Sequence, residues 1–321
     1  MCNDGVMSQV LAQLTRNGLV ESVHHGSAVV VDESGAVVWS MGEVTIPMYP
    51  RSANKLMQGY AMVRHGLPLS NELLALACAS HSGEQIHIDG VLRILKEAGL
   101  DEKSLQCPTD FPLDQKARHH AIATGLEKSR LFMNCSGKHA AMLMTCVVND
   151  WDTSNYLNPT HPLQLACREA IEECTGTTVM HTTFDGCGAP LMSTNLVGLA
   201  QAFGRFAGPS ANTQQSKIRN AIIAHPEYLS GMNRDDRDLM VGVPGLVAKI
   251  GAEAVYGIGL GDGRGLAIKI DDGADRARIV VAATILRDVM GVVAKVLDEQ
   301  AQSPVFGGSD VVGQVTAVIG K

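Results

Sequence analysis

Runs of β-branched residues near the start of the chain are separated by turn-forming residues. Residues 28–31 and 36–39 are rich in valine, and the Asp-Glu-Ser-Gly segment at 32–35 has the composition of a tight turn. This pattern predicts a β-hairpin over residues 27–41.

Apolar residues recur at helical spacing through the middle of the chain, with short loops containing Gly, Pro or Ser between the periodic segments. The predicted helices cover residues 52–65, 70–79, 85–98, 115–127, 138–148, 162–174, 194–206 and 213–224. The segment 52–175 is therefore predicted to be mainly helical.

The last third returns to a strand-like pattern. Strands are predicted at 254–260, 265–271 and 277–283, followed by a long helix at about 284–300 and weak strand structure in the tail. Strands at both ends with helices between them predict an α/β (α+β) fold. Its antiparallel sheet would combine N- and C-terminal segments, and residues 1–321 would form a single catalytic unit with the helical insert 52–175.

Composition narrows the class of protein. The 321 residues are 45% hydrophobic and 18% charged, with a formal net charge of −7. A chain of this length and hydrophobic content can bury a core, and its charge balance fits an enzyme of small polar substrates. No basic block is present, which argues against a nucleic-acid partner. No apolar run approaches the roughly 20 residues of a membrane span.

Location is predicted from the N-terminus and the cysteines. The first residues lack the basic region and apolar stretch of a secretory signal. Eight cysteines are scattered irregularly along the chain, a distribution typical of reduced thiols rather than of a disulfide framework. We therefore expect a cytoplasmic protein.

Ser52 and Lys55 lie three residues apart at the start of a predicted helix, where Pro50 is well suited to the first turn. A serine hydroxyl needs a base within hydrogen-bond reach to act as a nucleophile. Side chains at i and i+3 share a helix face, with Cβ atoms roughly 5–6 Å apart, so an unprotonated Lys55 could take the proton from Ser52. Ser-x-x-Lys also occurs by chance on solvated helices, and the spacing alone does not distinguish the two.

Ser80 and Ser82 lie where one predicted helix ends and the next begins. Ser82 is placed to act as an N-cap, with Glu84 and Gln85 in the first turn. Small hydroxyls at a helix junction can also project into a cleft. A catalytic role here stays open beside the capping role.

Cys135 and Cys187 each lie in a short segment rich in reactive groups and glycine. Two cysteines fall short of the four Cys or His ligands of an ordinary structural zinc site, so a metal is one possibility. A nucleophilic pair of Cys135 with His139 is a second. A helix capped by Ser136, together with a tight glycine turn, is the third.

Lys269 alternates with large apolar residues in the strand predicted at 265–271 and shares its face with Ala267. That face could be exposed to solvent. The glycine-rich run at 257–263 lacks the G-x-G-x-x-G spacing and is not followed by a predicted helix, which excludes a dinucleotide site.

Taken together, five blocks resemble the L-asparaginase II family, the group typified by the thermolabile rhizobial asparaginase. They occur in order across roughly residues 20–300. The blocks are Arg51-Ser52-Ala53-Asn54-Lys55, Cys78-Ala79-Ser80-His81-Ser82, Asn134-Cys135-Ser136-Gly137-Lys138-His139, Asp185-Gly186-Cys187 and Ala267-Ile268-Lys269-Ile270-Asp271-Asp272-Gly273.

The resemblance implies a fold similar to serine β-lactamases and penicillin-binding proteins, and a homodimer. It implies two serine–lysine pairs, which are Ser52 with Lys55 and Ser80 with Lys269. It implies a zinc ion whose ligands are Cys135, Lys138 and Cys187. The residues that match family positions near the substrate are Arg51, His139 and Asp185.

The predicted reaction is hydrolysis of L-asparagine to L-aspartate and ammonia, with Ser52 favoured as the acylated serine and Ser80 passing a proton to the departing ammonia. Zinc would orient the substrate, because a serine already serves as the nucleophile. A glutaminase, or a β-lactam or peptide amidase, remains an alternative, since one methylene discriminates by only ~1–3 kcal/mol. A non-catalytic zinc-dependent amino-acid binder is a third, although binding alone requires no nucleophile.

Overall fold

The computed structural model describes residues 8–320, which divide into two compact units. The sheet unit takes in the chain up to Ala53, the segment Asn195–Ser210 and the chain from Asp238 onward. The helical unit takes in Asn54–Thr194 and Ala211–Arg237. The expectation of one catalytic unit stays a prediction.

The elements are as follows, in chain order. The strands are β1 (Gln9–Arg16), β2 (Leu19–Val31), β3 (Val37–Met41), β4 (Thr182–Phe184), β5 (Pro190–Met192), β6 (Val247–Gly251), β7 (Val255–Gly259), β8 (Gly265–Ile270), β9 (Gln302–Gly307) and β10 (Asp310–Ala317). The α-helices are α1 (Lys55–Arg64), α2 (Asn71–Ala77), α3 (Gln85–Glu97), α4 (Gln115–Ala123), α5 (Ser136–Val148), α6 (Pro162–Thr175), α7 (Leu196–Ala207), α8 (Thr213–Ala224), α9 (Pro226–Leu229), α10 (Asp235–Gly242), α11 (Asp275–Thr284) and α12 (Lys295–Gln300). Arg51–Asn54 and Glu102–Ser104 are 3₁₀ turns, and Ile285–Val289 is a π-helical turn.

The sheet unit contains an antiparallel sheet in the order β6-β7-β8-β2-β1-β10-β9, with β3 also paired to β2. The predicted 27–41 hairpin is present as the pairing of β2 with β3. Strands from both ends of the chain meet where β1 pairs with β10 and β2 with β8. The predicted mixed fold, with an antiparallel sheet from N- and C-terminal segments, is therefore confirmed.

Helices cover both faces of this sheet. Every residue of β6 and β7 is buried, which is expected of strands packed on two sides. Arg278 of α11 stacks over the Tyr256 ring at 4.8 Å, on one face. The neighbouring residue Gly257 faces α7 on the other, where the Phe203 ring lies.

Glycines in and just after the run at 257–263, which sequence excluded as a dinucleotide site, have a packing role. A Cβ built on Gly259 would lie 2.0 Å from the Phe203 carbonyl oxygen, and one on Gly265 would lie 2.0 Å from the Ala200 carbonyl oxygen. Both oxygens belong to α7. The absent side chains therefore let the α7 backbone approach β7 and β8 directly.

Gly259→Ala is expected to destabilise the protein by about 3 kcal/mol, because backbone atoms must move to admit the methyl group. Gly261→Ala is the matched control, since the nearest atom to its Cβ is 3.7 Å away. The control should change stability by less than about 1 kcal/mol. Urea unfolding of both variants measures the difference, and equal midpoints would contradict the packing role.

The helical unit contains α1 to α6, α8 and α9, together with the β4–β5 hairpin. α1 packs against α6, α2 against α8, and α3 against α5. Each helix predicted between residues 70 and 224 is present, with ends that differ by a few residues. Within residues 8–320, no helix is both long and apolar enough to cross a bilayer.

The strand predicted at 277–283 is wrong, because these residues belong to α11. Their Ile-Val-Val run resembles a strand locally. The buried positions include Ala277, Val280, Val281 and Thr284, which have the i, i+3, i+4, i+7 spacing of a helix face. Burial of that face outweighs the local β-propensity.

The continuous helix predicted at 284–300 is also wrong. The chain leaves the helix after the π turn, passes through Gly291 at φ 69°, and re-enters a helix at Lys295. A glycine in the left-handed region is a common helix terminator. The weak strand structure expected in the tail is β9 and β10.

Four strands were not predicted from the sequence: β4 and β5 of the short hairpin, and β1 and β6 of the large sheet. In β1, a register shift between Val10 and Ala12 interrupts the pairing with β2, and both Leu11 and Ala12 are buried. A bulge of this kind breaks the period-two alternation by which a strand is recognised. β6 contains the buried Lys249, which interrupts an otherwise apolar run.

Candidate active site

Ser80 is held by its backbone in the buried loop that follows α2. Its N–H donates to the Leu229 carbonyl at 3.0 Å, and the next N–H, of His81, donates to the Asn134 carbonyl at 3.0 Å. The His81 ring is fixed as well, because its Nε2 lies 2.8 Å from Ser136 Oγ and its Nδ1 accepts from the Gly83 N–H. The Ser80 side chain therefore projects from a loop anchored on both sides.

Lys55 contacts the Ser80 hydroxyl through its amine. It opens α1 with only 1% of its surface exposed. Its Nζ lies 2.7 Å from Ser80 Oγ, 2.7 Å from the Ala79 carbonyl and 2.9 Å from Cys135 Sγ. A neutral amine that donates to Ala79 and Cys135 keeps its lone pair for the Ser80 hydroxyl. This geometry suits proton abstraction from Ser80.

Ser52 lies in the 3₁₀ turn Arg51–Asn54, and Lys55 is the first residue of α1. The predicted α-helix over 52–65 is therefore wrong at its start, and the i, i+3 argument from α-helical spacing does not apply. Ser52 belongs to the sheet unit, while Lys55 belongs to the helical unit. The pairing of Ser52 with Lys55 stays a prediction.

Lys269 lies on β8 in the sheet unit, and its Nζ donates to the Glu253 carbonyl at 2.8 Å and to the Ile270 carbonyl. Burial lowers the pKa of Lys269, and the neighbouring carboxylates, of which Asp271 is the first, only partly oppose this. Ala267, on the same face, is fully buried. The alternative that this face is solvent is therefore wrong, and the pairing of Lys269 with Ser80 stays a prediction.

Two cysteines and a lysine form a buried cluster in the helical unit. Cys135 precedes α5, Lys138 lies in its first turn, and Cys187 lies between β4 and β5. Lys138 Nζ donates to Cys187 Sγ at 3.4 Å. A hydrogen bond between the two sulfurs raises the pKa of Cys135 and lowers the pKa of Cys187. Burial lowers the pKa of Lys138, but the charges of the two cysteines outweigh it and raise the pKa.

The donor chemistry of this cluster fits zinc. Two sulfur atoms and a nitrogen are ligands that zinc accepts, whereas Mg²⁺ requires oxygen. No three His, Cys, Asp or Glu side chains within residues 8–320 are grouped to hold a metal ion. A metal at this cluster would therefore need the Lys138 amine, in its neutral form, as the third ligand.

The family model for L-asparaginase II matches residues 12–317, nearly the whole chain. The chain belongs to the L-asparaginase II family. Membership places this family member among the amidohydrolases, and it confirms the resemblance drawn from the five sequence blocks. None of the curated proteins matches its sequence.

Solved structures similar to this family member are distant. They include Mglu, at 11% identity over 83% of this chain and 67% of that chain, with a TM-score of 0.37. A beta-lactamase from Mycobacterium bovis has 10% identity over 82% of this chain and 94% of that chain, with a TM-score of 0.37. A Bacillus glutaminase has 10% identity over 83% of this chain and 91% of that chain, with a TM-score of 0.36. The chain spans 60% of the length of Mglu in its L-glutamate binding form. Similarity at this level carries no argument about substrate.

The remaining residues matched to the substrate region lie in both units. Arg51, in the sheet unit, has Nη1 3.9 Å from Glu253 Oε1. In the helical unit, Asp185 Oδ1 accepts from the Gly186 N–H. His139 Nδ1 lies 2.8 Å from Tyr156 OH, and the buried His139 ring also interacts with Cys187.

Two predicted helix caps are wrong. Glu84, rather than Ser82, is the N-cap of α3, and the Ser82 hydroxyl donates to the Ser230 carbonyl. Cys135 is the N-cap of α5, and the Ser136 hydroxyl donates to the Leu131 carbonyl. In both cases the hydroxyl bonds a carbonyl outside its helix, which a local capping pattern does not reveal.

Sequence reasoning missed two contacts of the site: that of Lys55 with Ser80, and that of the Tyr156 hydroxyl with His139. The first joins residues 25 positions apart, for which a local motif gives no signal. Tyr156 lies in an irregular segment between α5 and α6, and its hydroxyl also accepts from the Gln106 N–H. A buried tyrosine hydroxyl needs a partner, and only the fold shows which one.

Proposed function

We propose that this protein hydrolyses L-asparagine to L-aspartate and ammonia through a serine acyl-enzyme. The observation that carries the proposal is the buried Lys55–Ser80 pair, with Nζ and Oγ 2.7 Å apart, in a chain of the L-asparaginase II family. A serine with a lysine base at this distance has the parts needed for nucleophilic acyl transfer.

The proposed reaction begins when neutral Lys55 accepts the Ser80 proton. Ser80 Oγ then attacks the side-chain amide carbon of asparagine, and the C–N bond breaks as a proton reaches the leaving nitrogen. Ammonia departs and leaves an aspartyl ester on Ser80. Water hydrolyses the ester, which returns the serine and releases aspartate.

The roles of the two serines differ from the sequence expectation. Sequence favoured Ser52 as the acylated residue, but the contact of Lys55 with Ser80 supports Ser80 in that role. Ser52 and Lys269, both in the sheet unit, then supply the second serine–lysine pair of the proposal, which passes the proton to ammonia. All four residues remain catalytic in this assignment.

Charge complementarity supports roles for the substrate-binding residues. The Arg51 guanidinium is a suitable partner for the α-carboxylate of asparagine, because its fork of donors matches a carboxylate. The Asp185 carboxylate is suited to the α-ammonium group, and His139 supplies a buried ring nitrogen. These assignments follow the family positions matched in the sequence.

Ammonia release from asparagine and from glutamine, and opening of the β-lactam ring of a penicillin, each measured on purified protein, test the proposed function. We expect the highest kcat/KM for asparagine. A higher kcat/KM for glutamine would make the protein a glutaminase. No turnover of any of the three would contradict an amidohydrolase of these substrates and favour an amino-acid binder.

The pH dependence follows from the environment of Lys269. A protonated lysine cannot accept a proton, so kcat/KM is expected to rise with pH. In the proposed relay the Ser52–Lys269 pair takes up a proton before it passes one to ammonia, so Lys269 must begin neutral. Because burial lowers the pKa of Lys269, the rise should reach its plateau below the ordinary lysine pKa of 10.5. A kcat/KM profile that is flat from pH 5 to 9 would count against lysine bases.

The proposal includes a zinc ion held by Cys135, Lys138 and Cys187. The buried sulfur–amine cluster supports it, since thiolates favour zinc and Lys138 is the nitrogen beside them. When bound, zinc would supply a fixed positive charge that orients the substrate. Cys135 also accepts from Lys55, so the ligand cluster and the Ser80 base are adjacent within the helical unit.

Cys187→Ala is expected to lose zinc and to raise KM for asparagine, with a smaller fall in kcat, because an orienting metal contributes to substrate binding more than to acyl transfer. Cys146→Ala is the matched control, since Cys146 is fully buried on the same helix as Lys138. Elemental analysis should find zinc in the control and in wild type. Its absence from the purified wild type would contradict the site.

A cytoplasmic location and a homodimeric state complete the proposal. Both rest on the sequence reasoning and on the family resemblance, and both stay predictions. Fractionation and light scattering, respectively, would test them.

A further inference from the structure

The turn between β6 and β7 has an unusual backbone. Glu253 and Ala254 lie in the left-handed region, at φ 59° and 52°, where glycine or asparagine is the ordinary choice. Only six non-glycine residues within 8–320 have positive φ. Glu253 and Ala254 are two of them, and Arg51, at 50°, is another, whose guanidinium contacts this turn. Strained backbone of this kind tends to persist where a site requires the geometry.

The turn contacts Lys269 through its backbone. The Glu253 carbonyl accepts from Lys269 Nζ at 2.8 Å, and the Ala254 carbonyl accepts from the Ile270 N–H at 3.3 Å. The left-handed conformation sets the direction of the Glu253 carbonyl. An amine with four methylenes is otherwise mobile, so this oxygen and the Ile270 carbonyl determine where Nζ lies.

The same turn contacts the segment that carries Ser52. Glu253 Oε1 lies 3.9 Å from Arg51 Nη1. A Cβ on Gly251, at the end of β6, would lie 2.5 Å from the Pro50 carbonyl and 3.3 Å from the Ala53 nitrogen. The β6–β7 turn is therefore packed directly against residues 50–53, within the sheet unit.

We propose that Glu253 is a positioning residue, which sets Lys269 through its backbone carbonyl and Arg51 through its carboxylate. The inference rests on the proposed function, in which Lys269 and Arg51 serve the reaction and the substrate. Glu253 itself touches neither the substrate nor the reacting atoms in this assignment. Its left-handed backbone is retained because the carbonyl must point at the amine.

Two substitutions separate the backbone from the carboxylate. Glu253→Gly and Glu253→Val both remove the carboxylate and keep the backbone carbonyl. Glycine accepts the left-handed conformation without strain, whereas valine resists it because it is β-branched. Asn17→Val is the control for strain, since Asn17 has φ 45° in the β1–β2 turn of the same unit.

The decisive readout is the reactivity of the Lys269 amine, followed by competitive acetylation with acetic anhydride across pH. This measurement does not depend on asparagine turnover. Asp271, Glu253 and Asp272 are the carboxylates that act on Lys269. Because the Gly and Val variants both lack the Glu253 charge, any difference between them reports the backbone.

We expect Glu253→Gly to match wild type in kcat within about threefold and Glu253→Val to lose about 10- to 100-fold. The acetylation profile of Lys269 should shift in the Val variant relative to the Gly variant, while Asn17→Val leaves kcat and that profile unchanged. Glu253→Gln should raise KM less than about fivefold, since its ion pair is exposed.

Identical Lys269 profiles in folded Gly and Val variants would overturn the positioning role, as would an equal loss of kcat in Asn17→Val. Should the Val variant fail to fold, Ala254→Val replaces it as the strained variant and is compared with wild type, because both keep the Glu253 charge. Absence of asparagine turnover in wild type would instead contradict the proposed function, and the acetylation profiles would still decide on the turn.

Discussion

Ser80→Ala is expected to lower kcat for asparagine by about 10⁴-fold or more, which is the loss seen when an enzyme loses its nucleophile. The reason is that Ser80 supplies the hydroxyl in contact with the Lys55 amine, which is the base in the proposed reaction. Lys55 Nζ lies 2.7 Å from Ser80 Oγ, and the Ser80 N–H is bonded to the Leu229 carbonyl. That backbone bond does not involve the hydroxyl, so the variant should keep the loop in place.

Ser82→Ala is the matched control for this substitution. Ser82 lies two residues along the same buried loop, but its hydroxyl donates to the Ser230 carbonyl. The control is expected to keep kcat within about tenfold, at a stability cost of roughly 1 kcal/mol for the lost hydrogen bond. If Ser80→Ala retained activity while Ser52→Ala lost it, the acylated residue would be Ser52.

Lys55→Met is expected to lower kcat/KM by about 10³- to 10⁴-fold, because the general base is removed while the volume of the side chain is nearly conserved. A second effect should be visible in stability. The Ala79 carbonyl loses a buried donor, and an unsatisfied buried acceptor costs about 1–3 kcal/mol. Steady-state kinetics and urea unfolding measure the two effects separately.

Lys249→Met controls for the loss of a buried lysine. Lys249 is fully buried on β6, and its Nζ donates to the Ile250 carbonyl. This variant should change stability while keeping kcat/KM within about tenfold. Equal losses of kcat/KM in the two variants would show that burial, rather than the contact with Ser80, explains the effect at Lys55.

The fold could be predicted from sequence where local pattern and tertiary packing agree. The helices of the helical unit and the 27–41 hairpin follow their periodicity. The segment 277–283 does not, because its Ile-Val-Val run has the composition of a strand, whereas Val280 and Val281 are buried on a helix face. The secondary structure of such a segment is determined by the surface against which it packs, and that surface cannot be read from the sequence.

The candidate site divides in the same way. The family blocks identify Cys135, Lys138 and Cys187, and the fold brings these three into one buried cluster. Spacing alone paired Lys55 with Ser52, because a local pattern can only join neighbours. The contact with Ser80 depends on the placement of α1 beside the loop after α2, which follows from packing rather than from any motif.

The central claim is that Ser80 carries the acyl group. Acid quenching during turnover of asparagine, followed by peptide mass spectrometry, tests it most directly. The account predicts one aspartyl group added to the peptide that contains Ser80, and none in Ser80→Ala. An aspartyl group on the peptide that contains Ser52, with the Ser80 peptide unmodified, would contradict it.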